Sequence, residues 1–283
     1  MNDIVVQIPT NRSSEQIIGC AVSMACIFRA HLDGIACVYQ SLNPALSFEG
    51  SAAAVAVAAE YDRGEDLAAA TLEEFQIAAK RAGISHGIRT ICGRLYPASQ
   101  TLAEISRLYD LSIVVQPYHA KPGPGDLIPE AGLLSSGRPA LMVPHVYVGS
   151  LEMERVLICW NGRRLAARAI HDTMPFLHNA KVIDVLAVNE ADSTESEVSS
   201  AALVAHLARR DISVDVQQLT ADAFNIHTAI LSLAADRGTD LIVMGGYGHS
   251  RLREFILGGV TRGILRSLTV PALISYRDYG EEG

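Results

Sequence analysis

Positive charge is scarce in this chain. Its 283 residues carry 23 Lys and Arg against 31 Asp and Glu, which gives a formal net charge of -8. The arginines are scattered and form no long basic run. An acidic chain of this kind has no global electrostatic attraction to nucleic acid or to an anionic membrane. We therefore expect neither as a partner.

Cysteine pairs and long apolar runs are also missing. The five cysteines include no Cys-x-x-Cys pair and stand in no Cys/His cluster at metal-ligand spacing, so no disulfide framework or metal site is predicted. Met1-Asn2-Asp3 leads directly into a strand-like run without the basic segment of a secretory leader. No apolar run approaches the roughly 20 residues of a membrane span. These absences predict a soluble, cytoplasmic protein.

Two common phosphate-binding motifs are absent as well. A P-loop needs Gly-Lys-Ser/Thr, but none of the three lysines, Lys80, Lys121 and Lys181, follows a glycine. A dinucleotide fingerprint starting at Gly246-x-Gly248 needs a third small residue where Arg251 stands. Any phosphate site must therefore be of another type.

A glycine-rich segment follows the strand-like run Leu241 to Met244. Gly245-Gly246-Tyr247-Gly248 comes directly after this run, and Gly258-Gly259 follows nine residues later and opens a helical stretch, 260–267. Glycine lets the backbone turn tightly and approach a ligand, and the free N–H groups at a helix start favour an anion. The segment predicts a phosphate-binding loop and, with it, a nucleotide. The alternative is that these glycines serve only as a strand-to-helix turn.

The spacing Gly245-x2-Gly248-x9-Gly258 closely resembles the nucleotide-binding signature of the universal stress protein family. This resemblance implies an adenine nucleotide as ligand, ATP, ADP or AMP, with or without Mg²⁺. Members that hold ATP usually carry Ser or Thr after the third glycine, whereas this chain has Gly259. Thr261 offers a hydroxyl two residues later, and the N–H groups of Gly259 and Val260 stay available. Whether Gly259 has cost the site its ligand is left open.

Further site residues are predicted by position, because ligands of open α/β sheets bind at the carboxyl ends of the strands. Trp160 and Asn161 end the first strand of the second half, where similar proteins contact adenine, and Val188 ends the second strand. Trp160 is equally interpretable as a core residue, and Asn161 as a helix N-cap. The predicted nucleotide site comprises Trp160, Asn161, Val188, Met244, Gly245, Gly248, His249, Ser250, Gly258, Gly259, Val260 and Thr261.

The chain divides into two halves of similar plan, with predicted domains at 1–146 and 153–283. Strands alternate with helices in both, which predicts an α/β fold with parallel sheets. The resemblance implies two tandem, doubly wound, five-stranded Rossmann-like sheets of strand order 3-2-1-4-5, forming a pseudo-dimer within the chain. The predicted helices are 15–31, 52–82 with an interruption at Gly64, 99–109, 163–177, 195–210, 222–237 and 260–267.

The first half lacks the glycine loop. In its place stands Gln116-Pro117 followed by Pro122 and Pro124, and prolines remove N–H donors and fix φ where a phosphate cradle needs free amides. We predict a degenerate first site and one nucleotide per chain. The terminal strands, 139–143 and 271–276, pair either within one chain, giving a monomer, or between chains, giving a homodimer.

Three functions are consistent with this pattern. The leading hypothesis is a nucleotide-binding stress-response sensor or regulator, whose ligand orders residues 247–257 and changes a surface that an unidentified protein partner recognises. The second is a slow ATPase or autophosphorylating protein, and the third is a scaffold that binds no nucleotide. No catalytic lysine follows the loop and no carboxylate is obviously paired with it, so we predict no catalytic residue and expect no enzyme beyond weak ATP hydrolysis.

Overall fold

The computed structural model describes residues 1–39, 52–117, 136–147, 149–190, 198–220, 225–246 and 259–275. It divides into two compact units. The first comprises Met1–Arg138 with Val148–Ser150, and the second comprises Pro139–Tyr147 with Leu151–Gly283. The predicted domains, 1–146 and 153–283, stay a prediction.

The first unit is a parallel sheet with helices between its strands. Its elements are β1 (Asp3–Ile8), α1 (Glu15–Phe28), β2 (His31–Tyr39), α2 (Ala52–Ala82), β3 (His86–Gly93), α3 (Leu95–Ser106) and β4 (Leu111–Val115). The strand order is β3-β2-β1-β4, and these neighbours pair in parallel. The central strands β1 and β4 are buried almost throughout, as expected for a sheet covered on both faces.

The second unit repeats this plan. Its elements are β5 (Ala140–Val143), β6 (Arg155–Trp160), α4 (Arg164–Leu177), β7 (Val182–Val188), α5 (Ser200–Ala208), β8 (Asp215–Leu219), α6 (Ile226–Arg237), β9 (Leu241–Gly245), α7 (Gly259–Ser267) and β10 (Ala272–Ser275). The order β8-β7-β6-β9-β10 is parallel and matches the predicted 3-2-1-4-5. The predicted fold class is confirmed.

The last strand of the first half has the predicted place and one further partner. β5 follows β4 in the strand order, as predicted for a fifth strand, and it also pairs antiparallel with β10, with Leu141 opposite Leu273. The division into compact units assigns β5 to the second unit. All four residues of β5 and all four of β10 are buried. Their pairing gives the backbone groups along the facing edges of these two buried strands hydrogen-bond partners.

Two predicted helices have different bounds, and a third lacks its predicted interruption. α1 ends at Phe28 because Arg29 adopts a left-handed conformation (φ 53), so that β2 starts at His31. α2 continues through Gly64, where a Cβ would lie 3.0 Å from Val38 Cγ1; the glycine permits close helix–strand packing and does not interrupt the helix. α3 begins at Leu95, which places Pro97 in its first turn, where a missing N–H costs no helical hydrogen bond.

The other described elements lie within a few residues of their predicted bounds. Residues 191–197 and 221–224, where two predicted helices were expected to start, lie outside the described residues. Within the described part of the chain, no helix is long and apolar enough to cross a bilayer.

Candidate functional site

The predicted ligand crevice lies where the second sheet reverses its strand order. β6 and β9 are parallel neighbours, with Ile158 opposite Val243. The chain continues from β6 to β7 on one side of this pair and from β9 to β10 on the other. Connections that diverge in this way leave a crevice at the carboxyl ends of the two strands. Trp160 and Asn161 follow β6 to this edge, and Met244 and Gly245 end β9 there.

Gly245 allows α4 to begin directly on the end of β9. A Cβ on this residue would lie 2.5 Å from the carbonyl carbon of Leu165, 2.6 Å from Ala166 N and 2.8 Å from Leu165 O. All three atoms are backbone of the first helical turn, so no side-chain rotation relieves the overlap. The glycine therefore has a packing role that the sequence pattern did not reveal, beside any role toward a ligand.

A hydrogen-bonded chain of groups fixes the glycine turn at its start. Gly246 donates its N–H to Ser275 O at 2.8 Å. The Ser275 hydroxyl donates to Asp172 Oδ2 at 2.9 Å, and Arg168 Nε donates to both oxygens of the same carboxylate at 2.8 Å. Ser275 is 1% exposed, so this contact is shielded from water. Sequence reasoning missed these positioning residues, although the i,i+4 spacing of Arg168 and Asp172 on one helix was a usable signal.

Helix α7 begins at Gly259, one residue earlier than predicted. Its first-turn N–H groups have no acceptor within the helix, and its positive dipole end lies at the same terminus. The position of α7 is fixed by Gly263, where a Cβ would lie 2.4 Å from Cγ of the His227 ring on α6. This Gly–His contact was not predicted either, and no local sequence signal indicates it.

The loop after β6 is braced against the residues that precede α5. Trp160 is only 7% exposed, and its indole N–H donates to Val198 O at 3.2 Å. Asn161 Oδ1 accepts a hydrogen bond from Arg163 N at 3.1 Å. The tryptophan thus occupies a core position, and Asn161, which is exposed, uses its oxygen to shape the approach to α4.

The end of β7 lies one strand away from the crevice. Val188 is half-buried and pairs with Leu219 of β8. Asn189 then turns the chain with a left-handed conformation (φ 50) and donates its N–H to Leu219 O at 2.8 Å. The structure therefore places Val188 at the expected edge of the sheet, next to the strand that carries Trp160.

Comparison with known proteins is decisive for this half of the chain. Residues 153–275 match the model of the universal stress protein family. The second unit therefore carries a universal stress protein domain. The match covers the second unit from before β6 to the end of β10, and so includes every described element of the crevice.

Similar proteins of this family come from archaea and a cyanobacterium. Universal stress protein MJ0577 of Methanocaldococcus jannaschii is 37% identical over 51 residues, 18% of this chain and 32% of that protein. Universal stress protein Slr1230 of Synechocystis sp. is 28% identical over 127 residues, 45% of this chain and 39% of that protein. The chain thus matches well under half the length of each of these relatives.

The fold has a solved counterpart over nearly the full length. The crystal structure of a universal stress protein from Archaeoglobus fulgidus covers 97% of this chain and 98% of its own, with a TM-score of 0.73 and 17% sequence identity. At this identity the likeness shows the fold. It extends the universal stress protein architecture to the first unit, which the family model does not cover.

Several predicted site residues of this universal stress protein domain lie outside the described residues. These are Gly248, His249, Ser250 and Gly258. For Gly259, Val260 and Thr261 the helical backbone is described and the side chains are not. The structure therefore places the strand-end residues Trp160, Asn161, Met244 and Gly245 at one edge of the second sheet, with Val188 one strand further away. The contacts of all of them with a ligand stay a prediction.

The corresponding edge of the first unit is built differently. β1 pairs with β4 in the first unit as β6 pairs with β9 in the second, with Ile4 opposite Leu111 and Val156 opposite Leu241. Counting four residues on from each leucine, Val115 stands where the second unit has Gly245. Val115 is 6% exposed, so a buried branched side chain stands where the second unit has a glycine. The proline-containing segment that follows, 118–135, lies outside the described residues.

Proposed function

We propose that the second unit binds one adenine nucleotide, ATP, ADP or AMP, and that the bound nucleotide makes this universal stress protein a sensor or regulator in the stress response. The observation that carries the proposal is the start of α7 at Gly259, which is the second residue of the pair Gly258-Gly259. Amide groups at a helix start bind phosphate without a side chain. This matters here because Gly259 itself offers no hydroxyl.

The charges of the described crevice suit an anion. Asp172, the carboxylate in the Ser275 network, is paired with Arg168 at 2.8 Å, so its negative charge is offset where a phosphate would approach. The amino-terminal end of α4 follows β6 to the same edge of the sheet and adds a second positive dipole end. A polyphosphate fits this arrangement better than a cationic ligand does.

The roles of the predicted residues follow from their positions. Asn161, with Trp160 behind it, and Val188 are assigned to the adenine end, since they lie at the ends of β6, which borders the crevice, and of β7, the next strand. Met244 and Gly245 form its floor. Amides around Gly259 are assigned to the phosphates, together with the remaining predicted residues, which are Gly248, His249, Ser250, Gly258, Val260 and Thr261. Mg²⁺, where it is bound, would be held mainly by phosphate oxygens, since the described residues contain no cluster of three metal-ligating side chains.

Mass spectrometry of protein purified without added nucleotide tests the proposal. We expect adenine nucleotide to be retained at up to one per chain and lost in Gly258→Val, since a side chain in the second glycine turn blocks the approach of phosphate. A matched control is Gly19→Val, at an exposed glycine of α1 in the first unit with no atom within 4 Å of an added Cβ. Wild-type protein that carries no nucleotide and acquires none on incubation would contradict the proposal.

Regulation and catalysis are separated by two further measurements on the loaded protein. Limited proteolysis should show nucleotide-dependent protection of the segment 247–257, since ligand-dependent ordering of this segment is what a partner would detect. Phosphate release at the background rate supports a sensor. Release that is above background and lost in Gly258→Val would instead establish a slow ATPase, and protection that does not change with nucleotide would exclude this route of signalling.

The pairing of β5 with β10 within one chain favours a monomer. Each strand satisfies the edge of the other, which leaves neither for exchange with a second copy. Light scattering at micromolar concentration should report the mass of one 30.3 kDa chain, and a stable dimer would contradict the assignment.

A further inference from the structure

A second group of polar side chains lies in the first unit, at the amino-terminal edge of its sheet. Ser85 Oγ lies 2.7 Å from His31 Nδ1. His31 Nε2 lies 3.0 Å from Asp33 Oδ1, and the Tyr109 hydroxyl donates to Asp33 Oδ2. The four side chains thus form one hydrogen-bonded line, which we call the Ser85 line.

Donor and acceptor capacities fix the direction of every bond in this line. The ionised Asp33 carboxylate only accepts, so His31 Nε2 carries the proton that it shares with Oδ1. In the neutral ring the other nitrogen, Nδ1, is then an acceptor. The Ser85 hydroxyl therefore donates to Nδ1, which is the arrangement of a serine nucleophile facing its general base.

The remaining members hold the base in place. Burial and the hydrogen bond to Asp33 raise the pKa of Tyr109 above its ordinary value, so the phenol keeps its proton and stays a donor. Gly87 leaves room for the carboxylate, since a Cβ there would lie 2.3 Å from Asp33 Oδ1. His31 and Asp33 are 35% and 25% exposed, and Ser85 is exposed, so a small reagent reaches the hydroxyl.

The second unit provides an internal comparison. Asp33 pairs with Gly87 and Asp184 pairs with Asp215 in the equivalent strands, so Ser213 is the counterpart of Ser85. The same register makes Val182 the counterpart of His31. The second unit thus repeats the fold and the serine, but it has Val182 in place of the histidine that would act as the base.

The carboxylate of the second unit is also used differently. Asp184 is fully buried and forms an ion pair with Arg155 Nη1 at 2.8 Å, with Arg237 Nη1 at 3.9 Å. Its charge is offset by arginines, as in a structural ion pair. Asp33 faces a histidine and a tyrosine instead. The Ser85 line is therefore not an unavoidable product of this fold.

The sequence around the serine matches a known nucleophile pattern, Gly83-Ile84-Ser85-His86-Gly87, which is Gly-x-Ser-x-Gly. In hydrolases this pattern joins a strand to a helix. Here it joins α2 to β3, the reverse order, so the pattern alone does not indicate a hydrolase. The inference depends on the geometry of the Ser85 line.

We propose that Ser85 is a nucleophile activated by His31 and that the first unit slowly hydrolyses short, activated carboxylic esters. Ser85 Oγ bonds to the acyl carbon while its proton passes to His31 Nδ1, and the bond from that carbon to the leaving oxygen breaks as this oxygen takes the proton from Nδ1. Water then attacks the acyl-serine by the same route, with its proton passing through His31 to Ser85 Oγ. The products are the acid and the alcohol, and no other reactant is consumed.

A fluorophosphonate probe, located by peptide mass spectrometry, tests the nucleophile directly. We expect modification of Ser85 at least a hundredfold faster than of Ser213, since a positioned general base contributes about 10²–10⁴-fold. Ser85→Ala should lose the label, and the matched Ser213→Ala should keep it. Equal labelling of the two serines in wild-type protein would overturn the proposal.

Two further variants separate the base from the fold. His31→Gln removes the base and should lower both the labelling rate and p-nitrophenyl acetate hydrolysis by at least a hundredfold. Gly87→Ala keeps every group of the line but displaces the Asp33 carboxylate, and should lower both rates at least tenfold. Circular dichroism and thermal unfolding confirm that each variant is folded. Labelling of folded His31→Gln at the wild-type rate would refute the role of His31.

Discussion

Replacing Gly245 by Ala tests the packing that shapes the crevice. The added Cβ would lie 2.5 Å from the backbone carbon of Leu165, which is 0.9 Å inside the 3.4 Å at which ordinary van der Waals contact begins. Because the obstructing atoms belong to the helix backbone, α4 or β9 must move. Overpacking of this kind costs about 1–3 kcal/mol. We expect a loss at the upper end of this range.

The loss can be assigned to the second unit by spectroscopy. Trp160 is the only tryptophan in the chain and is buried in that unit. Urea unfolding followed by its fluorescence therefore reports the second unit, while circular dichroism reports both. The midpoint of the fluorescence transition should fall in Gly245→Ala without nucleotide present.

Gly19→Ala is the matched control for the same chemical change. Gly19 lies inside α1 with no atom within 4 Å of an added Cβ. Alanine favours a helix interior by about 0.5–1 kcal/mol over glycine, so this variant should be more stable than wild type. The packing argument is refuted if Gly245→Ala unfolds within about 0.5 kcal/mol of wild type, the usual range of neutral surface changes.

Three further outcomes are expected. Arg155→Met should lower the free energy of unfolding in urea by about 3 kcal/mol, the low end for leaving a buried charge without its partner, because a second arginine remains 3.9 Å from Asp184. An unchanged midpoint would show that the ion pair is dispensable. Hydrogen bonds from two backbone N–H groups at the start of β1 lower the pKa of Asp110. The stability that the ionised carboxylate contributes is therefore present above the ordinary carboxyl pKa and is lost as pH falls through the lowered pKa. Asp110→Asn should therefore show a smaller loss of stability between pH 5 and pH 3 (about the carboxyl titration range) than wild type, and equal losses would contradict this. Iodoacetamide at about pH 8, near the pKa of a free thiol, should label exposed Cys26 quickly and leave Cys20 unlabelled, since burial raises the pKa of the Cys20 thiol to about 12; comparable labelling would show that the first unit opens readily.

Much of the fold could be predicted because buried parallel strands are continuous apolar runs. The strand-like run Leu241 to Met244 and the terminal strands 139–143 and 271–276 agree with β9, β5 and β10 to within one residue at each end. The errors arose where one residue's conformation or packing decides a boundary. Nothing in the periodicity shows that Arg29 turns left-handed, or that Gly64 lies against Val38 inside a continuous helix.

The site was predictable in its local part only. The glycine motif and the strand that precedes it are contiguous in sequence, and their geometry follows from general rules for strand ends and helix starts. The groups that position them are distant in sequence. Ser275 and Asp172 are 103 positions apart, and the contact between Gly263 and His227 joins two helices. Such pairs are visible only once the chain is folded.

The Ser85 line shows the same limit. Its members come from the start of β2, the turn before β3 and the turn after α3, and Tyr109 is 76 positions from Asp33. The local pattern around Ser85 matches a known motif in the wrong structural context. Only the distances to His31 and Asp33 give the serine a chemical role.

Isothermal titration calorimetry of the full chain with ATP and Mg²⁺ tests the central claim most directly. The amides around the glycine turns of the second unit predict saturable heat with a stoichiometry of one nucleotide per chain, and no heat in Gly258→Val. Absence of heat in folded wild-type protein, a stoichiometry of two, or full binding by Gly258→Val would contradict it.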